Sequence, residues 1–462
     1  MKLIVQNHLT YVKSKTPNEE KWLIKLLSFP DGKTGFVKRG GHLKRVKPKM
    51  IRMYKIMSGS FPTGYLNHVV QEAQKINMTC SVEYDLHQVH QPNMSADLGW
   101  LRDYQVEAVN RVTEKKRGIL WHPTGAGKTE TAIGLTRRLP VKWMFFVNQK
   151  DLMHQAADRY EKRTGIKAGL LGDGIVRSPE GNFTVATFQT LAAKKDHPKI
   201  IKILEQVEGV IVDEAHTLPA DSFFETIMKT KNAYYRVGMS GTPLARGDKR
   251  SIMTVGALGP VIHRIKPETL IERGLLSRPT VRMVRCYQES QKPTWQGVST
   301  ELICNSVKRN NIVADIVSKK AEYPCLVFVD KVKHGKELLK RIQKKGVNAE
   351  FVWGDKNTPQ RQAAIERLVR TDTDVLICST IFQTGVDIPE VKEIVVACGG
   401  KSAIATIQRV GRAMRVSEGK RSCVVWDFAD TGNKWLEKHA KLRQKAYTDE
   451  GYETIVDKEM SA

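Results

Sequence analysis

An apolar run that stops on two carboxylates constrains this chain more than any other feature. Gly209-Val210-Ile211-Val212 reads as a strand, and Asp213-Glu214-Ala215-His216 follow it directly. A strand apolar at every position is buried on both faces, as in parallel sheets covered by helices. Such sheets bind ligands outside the carboxyl ends of their strands. The acidic pair is therefore expected at the ligand end of an α/β domain.

Far upstream, His122-Pro123-Thr124-Gly125-Ala126-Gly127-Lys128-Thr129 lies between the apolar strand Gly118–Trp121 and a helix from Thr129 to Arg138. That context supports a phosphate loop. Gly125 and Gly127 let the backbone approach phosphate oxygens, and Thr124 and Ala126 complete the turn. The helix start directs free N–H groups and a positive dipole end at an anion. Lys128 would hold the β- and γ-phosphates and Thr129 would ligate Mg²⁺. Asp213 would bind the same metal, and Glu214 would orient and deprotonate an attacking water. The pattern implies a site that splits a nucleoside triphosphate. His122 stands where such loops usually open on glycine.

Strand and helix alternate around these motifs. Expected strands are Gly118–Trp121, Trp143–Val147, Phe183–Ala186, Gly209–Val212 and Tyr235–Met239. The alternation restarts with Val281–Cys286, Cys325–Val329, Glu350–Val352, Val375–Cys378, Glu393–Ala397 and Ser422–Trp426, with helices such as Lys333–Lys344 and Pro359–Arg370 between. Two α/β domains in series follow. Pro260, Pro267, Gly274 and Pro279 punctuate the join. After Asp430 the chain reads as helical to about Thr448, then polar and frayed. Expected domains are 1–95, 96–262 and 263–462.

The 462 residues carry a net charge of +26, and 41% are apolar. That is enough apolar matter for several cores. The basic excess favours a polyanionic partner. No apolar run reaches the roughly 18 residues that a membrane span needs, and no secretory signal or anchor helix is seen. A membrane partner is not expected, and a cytoplasmic location is. The seven scattered cysteines read as reduced core thiols. His87 and His90 lack further ligands at metal spacing. Within residues 1–95, a small module with a helix near Tyr65–Lys75, basic residues concentrate between Lys38 and Lys55. Lys44, Arg45, Lys47 and Lys49 are the expected duplex contacts.

Near the end, Gln408-Arg409-Val410-Gly411-Arg412-Ala413-Met414-Arg415 puts Arg412 and Arg415 three apart, on one face if helical. Guanidinium groups of this kind reach γ-phosphates in nucleotide hydrolases.

With these residues in order, the chain resembles the superfamily 2 helicases from about residue 100 to 430. Leu101-Arg102-Asp103-Tyr104-Gln105 looks like the adenine-reading segment, which implies base contacts for Gln105 and Arg102. The phosphate loop is similar to motif I and Asp213–His216 to motif II. Val147-Asn148-Gln149-Lys150 and Thr187-Phe188-Gln189-Thr190 resemble strand-gripping motifs. Ser240-Gly241-Thr242-Pro243 looks like motif III. Thr380 and Gln383-Thr384-Gly385-Val386-Asp387 resemble motif V, and Gln408–Arg415 looks like motif VI.

The resemblance implies two RecA-like parallel-sheet motor domains in tandem, after a small α+β N-terminal domain. ATP and Mg²⁺ would bind at the interface of the two motors. Gln408, Arg412 and Arg415 would complete catalysis, with Gly385 and Asp387 near the nucleotide. Asn148, Gln149, Thr187, Gln189 and Thr384 would grip a phosphate backbone without reading sequence. Trp353 and Phe382 are candidates for base stacking or core packing. Pro243-Leu244-Ala245-Arg246-Gly247-Asp248 resembles the branch named for type III restriction enzymes, and the layout is similar to the phage UvsW family. The implied activity is a DNA helicase on single-stranded, forked or branched DNA, working as a monomer. An RNA helicase and a duplex translocase that separates no strands are the alternatives.

Overall fold

The computed structural model describes residues 1–31, 36–39, 42–45, 49–87, 91–244, 250–354, 358–379, 388–417 and 419–457, with backbone alone at 36–39, 42–45, 358, 403–404 and 412. The chain divides into two compact units. One is Met1–His122 with Gly127–Arg264; the other is Ile265–Ala462, with which Pro123–Ala126 are grouped.

The first unit begins with a four-stranded sheet in the order Ser60–Pro62, Leu9–Ser14, Lys2–Val5, Ser81–Tyr84. Two of its pairings are antiparallel and the last is parallel. The helix Pro17–Leu26 starts at a capping box, in which Thr16 Oγ1 accepts from Glu19 N and Glu19 Oε2 accepts from Thr16 N. The helix Leu66–Lys75 matches the expected one. Between them the basic run forms an antiparallel hairpin of Phe36–Arg39 and His42–Arg45, pairing Val37 with Lys44 and Phe36 with Arg45. Lys47 lies outside the described residues, and Lys49 is exposed.

This module packs on the helix Ser251–Leu258, where Tyr65 Oη donates to the Ile252 carbonyl at 2.6 Å. A side chain at Gly64 would sit 2.0 Å from the Val255 carbonyl, so only glycine permits that approach.

Next comes an eight-stranded sheet. Its order is Ile175–Arg177, Gly169–Gly172, Phe183–Thr187, Trp143–Val147, Gly209–Asp213, Tyr235–Ser240, Arg117–Trp121, Val261–Arg264. All pairings are parallel except the first. Alternate side chains of each strand enter different cores. Phe145, Ile211 and Met239 join one, and Phe146, Val210 and Val212 join the other. Both faces are covered, which is why these strands are apolar throughout.

The second unit holds a seven-stranded, wholly parallel sheet. Two of its strands, Arg278–Tyr287 and Ser422–Thr431, run longer than the apolar pattern alone suggests. The helix Lys434–Asp449 follows. The terminal segment, expected to fray, instead forms the strand Glu453–Asp457 beside Arg278–Tyr287. It is an edge strand with none of its side chains fully buried, and the Arg282–Asp457 fork at 2.8 and 2.9 Å anchors it. No helix among the described residues is long and apolar enough to cross a membrane.

Candidate nucleotide site and strand-contact residues

Strand order decides the site in the first unit. Tyr235–Ser240 lies between Gly209–Asp213 and Arg117–Trp121, with Asp213 level with Met239 and Ser240 level with Trp121. The start of the Lys128–Arg138 helix, the acidic pair and Ser240 thus meet at one carboxyl edge.

The loop turns on glycine. Gly125 and Gly127 have φ of +85° and +72°, and Gly127 caps the helix Lys128–Arg138. A methyl group at Gly127 would lie 2.4 Å from Gln105 Nε2. Gln105 fills that space. Its amide donates to the Gly127 carbonyl at 3.2 Å, and its Oε1 accepts from Arg102 N at 2.9 Å. Gln105, for which the resemblance implies base contacts, is therefore buried against the phosphate loop.

Lys128 Nζ lies 3.8 Å from Glu214 Oε1, both largely enclosed. Asp213 ends its strand, and its Oδ1 accepts from Glu214 N at 3.0 Å. Burial, then the Glu214 charge, pushes the Asp213 carboxyl up to about 6, against the pull of Lys128. A cation beside it would restore the carboxylate. Thr129, in the first turn of the helix, adds a hydroxyl. Hydroxyl and carboxylate oxygens are the hard donors that Mg²⁺ takes.

Glu214 itself sits at φ +47°, a left-handed conformation costly for a non-glycine residue. Its Oε2 is 3.2 Å from His216 Nδ1, which is 3.1 Å from Ser240 Oγ, which in turn accepts from Thr242 N at 3.1 Å. A polar chain so links Lys128, the acidic pair and the Ser240–Thr242 segment.

His122 is conspicuous in the sequence for its odd place, but its partner is not. Its Nε2 lies 2.8 Å from Nδ1 of His263, on the edge strand Val261–Arg264. Burial, then His263 and Lys128, pulls the His122 pKa down to about 3, so the ring is neutral. The next residue, Arg264, stacks on Trp121 at 4.0 Å, and Trp121 Nε1 donates to the Gly241 carbonyl at 2.8 Å. His263 and Arg264, which end the first unit, thus brace His122 at the start of the phosphate loop and Trp121 just before it. No sequence signal marks His263, because 141 residues separate it from His122.

Asn148 and Gln149 follow the strand Trp143–Val147, and Thr187 and Gln189 lie at the end of its parallel neighbour Phe183–Thr187. They come together: Gln189 Nε2 donates to the Asn148 carbonyl at 2.7 Å, and Thr187 Oγ1 to Thr190 Oγ1 at 2.9 Å. Gln189 is exposed.

In the second unit the helix Ala403–Ala413 carries Gln408, Arg409 and Arg412. Gln408 is buried, and Arg409 donates to Asp330 Oδ1 at 3.0 Å. The expectation that Arg412 and Arg415 share a helix face fails. Met414 caps the helix, and Arg415 pairs as an isolated bridge with Leu276, its carbonyl accepting from Ser277 Oγ at 3.2 Å. The side chain of Arg412 lies outside the described residues, as do Thr384, Gly385, Asp387 and Phe382. Trp353 stacks on Phe351 at 4.9 Å, beside the core of this unit.

Comparison with known proteins agrees with this geometry. The family model described as "Type III restriction enzyme, res subunit" matches residues 99–245, and "Helicase conserved C-terminal domain" matches 308–417, together more than half of the chain. The ATP-dependent DNA helicase uvsW of Enterobacteria phage T4 is 25% identical over 398 residues, covering 76% of each chain. The DNA 3'-5' translocase XPB2 of Sulfurisphaera tokodaii is 23% identical over 354 residues, covering 68% of this chain and 78% of that one. Among solved structures, the ATP-dependent Type ISP restriction-modification enzyme LlaBIII bound to DNA shares the fold, with a TM-score of 0.61 and 15% identity over 85% of this chain and 34% of that one. Viral and archaeal relatives are longer, and the chain spans 66%, 57% and 52% of three of them. With two RecA-like parallel-sheet domains and both matching models, the chain belongs to the superfamily 2 helicases, in the branch named for type III restriction enzymes.

Proposed function

We propose that the protein is a DNA-dependent ATPase that unwinds or remodels forked and branched DNA. The observation that carries this reading is the meeting of Lys128, Asp213 and Glu214 at one sheet edge, beside the start of the Lys128–Arg138 helix.

Lys128 and the loop amides hold the β- and γ-phosphates. Thr129 and Asp213 are the residues that would hold Mg²⁺, which when bound would neutralise phosphate charge. Glu214 takes the proton of the attacking water and aims it in line with the breaking bond. His216 holds Glu214 and links it through Ser240 to the Ser240–Thr242 segment. Arg412 and Arg415, with Gln408, supply the remaining phosphate contacts from the second motor domain, a role that rests on family resemblance. Asn148, Gln149, Thr187 and Gln189 grip the strand backbone.

The relatives named for DNA favour DNA over RNA. The relative named as a translocase favours a second reading, movement along duplex without strand separation.

One comparison tests both. ATP turnover and strand separation are measured on single-stranded DNA, blunt duplex DNA, forked DNA, a four-way junction and RNA, with Lys128→Ala as control. The first reading expects the fork or junction to stimulate turnover and lose a strand. Turnover on duplex with no separation on any substrate supports the second. Stimulation by RNA alone overturns both.

A further inference from the structure

We propose that a cavity between the N-terminal sheet and the base of the first motor sheet binds a phosphate group, with Lys116 and Arg117 as its cationic wall. The cavity measures about 270 Å³ and is lined by Asn7, Asn67, Tyr84, Lys115, Lys116 and Arg117, among others, with no acidic residue among the described residues of its wall. It lies at the amino end of the strand Arg117–Trp121, whereas the phosphate loop follows the carboxyl end. Five residues of strand separate the two, roughly 16 Å. The two sites are distinct.

Among the described residues, Lys116 and Arg117 have no carboxylate partner. Lys115 takes Glu114, at 2.7 Å. Lys116 Nζ donates to the Thr113 carbonyl at 2.5 Å and lies 6.0 and 5.6 Å from the rings of Tyr234 and Tyr235. An ammonium has three donors, so two remain. Arg117 Nη2 donates to the Asn7 carbonyl at 2.7 Å, while its Nη1 is buried without a partner. Asn7, whose carbonyl takes that bond, is itself buried, 2% exposed. A buried donor left without a partner is costly, the more so when it carries charge. A staple between domains explains one guanidinium contact and leaves the rest idle.

Two further observations agree. Lys116 holds φ +68° at the end of the helix Asp103–Lys115, a position that glycine would fill without strain. Positive charge also acts on the neighbouring His8. Burial, then Arg236, Lys231 and Arg117, pulls His8 down to about 4, and burial pulls Arg117 down to about 10. Tyr84, 64% exposed at the rim, offers an aromatic face beside the cations. Phosphate flanked by an aromatic ring is the chemistry of a nucleotide, either free or within a strand.

The inference does not depend on the ATPase reading, and its test silences the phosphate loop. In full-length Lys128→Ala protein, thermal midpoint is followed against inorganic phosphate and AMP. Binding of a labelled single-stranded oligonucleotide is followed against salt. Lys116→Gln, and Asn67→Asp at the exposed rim, are added to that background. If the source is a free anion, phosphate or AMP raises the midpoint and either substitution weakens the effect about tenfold. If the source is a strand, small anions do nothing, and the salt slope falls by about 0.7 for each phosphate that is no longer neutralised. Asn67→Asp keeps the test open should Lys116→Gln fail to fold. Folded variants that change neither the small-anion shift nor the salt slope overturn the proposal.

Discussion

Glu214 pays for its position with a left-handed backbone, and its side chain explains why. From φ +47° its two oxygens reach Lys128 on one side and His216 on the other. Glu214→Gln keeps shape and removes the proposed base, so turnover should fall by about 10²–10⁴ while DNA affinity holds. Phosphate release and fluorescence anisotropy measure the two. Undiminished turnover would remove Glu214 from catalysis. A second residue-scale expectation concerns acid. His122 and His334 are both pulled down to about 3, mainly by burial. Below about pH 6.5 the unfolded chain takes up protons that the folded one refuses, so stability is lost as pH falls. His334 Nε2 lies 2.9 Å from Asn310 Oδ1. His334→Gln should flatten the slope between pH 6 and 5 by about 1.4 kcal/mol per unit. Urea midpoints at the two pH values check it, and an unchanged slope would mean that His334 is charged in the fold.

At the scale of elements, pairing and capping decide what local pattern leaves open. Trp143–Val147 and Val375–Cys378 are legible residue for residue, because both faces of each strand are buried and each is apolar throughout. Glu453–Asp457 is not, since an edge strand with polar side chains looks like a tail. The sequence misplaces Arg415 because nothing local announces that the Ala403–Ala413 helix stops where Leu276 pairs with the chain. The helix Lys434–Asp449 is held by a buried fork. Arg443 donates to Asp427 at 2.9 and 3.0 Å, and Tyr447 Oη donates to the same carboxylate at 2.7 Å. Arg443→Met should cost about 3–5 kcal/mol by leaving that carboxylate buried and unpaired. Adding Asp427→Leu should recover part of it in denaturant titrations, and a purely additive double variant would mean no coupling. The His122–His263 contact is a similar clasp. His263→Ala should lower stability by about 1–3 kcal/mol through the orphaned ring nitrogen, read as a drop in the urea midpoint.

For the molecule as a whole, the charge of +26 sets the terms of binding. If about 6–10 phosphates are contacted, affinity should fall roughly 10³–10⁵ between 50 and 200 mM salt. Replacing Lys44, Arg45, Lys47 and Lys49 together should flatten that dependence on forked DNA, measured by anisotropy. An unaltered slope would give the N-terminal hairpin another task.

By itself the sequence determined the two α/β halves, the phosphate loop, the acidic pair and the family, because each is written in local apolar period or in a contiguous motif. Only the tertiary structure decided which strand stands between Asp213 and Trp121, that His263 reaches His122, and that Lys116 and Arg117 line a cavity with no carboxylate among its described lining residues. Those facts depend on strand order and on residues distant along the chain. Burial in a shared low-dielectric interior gives such pairs their energy, and no local pattern encodes it.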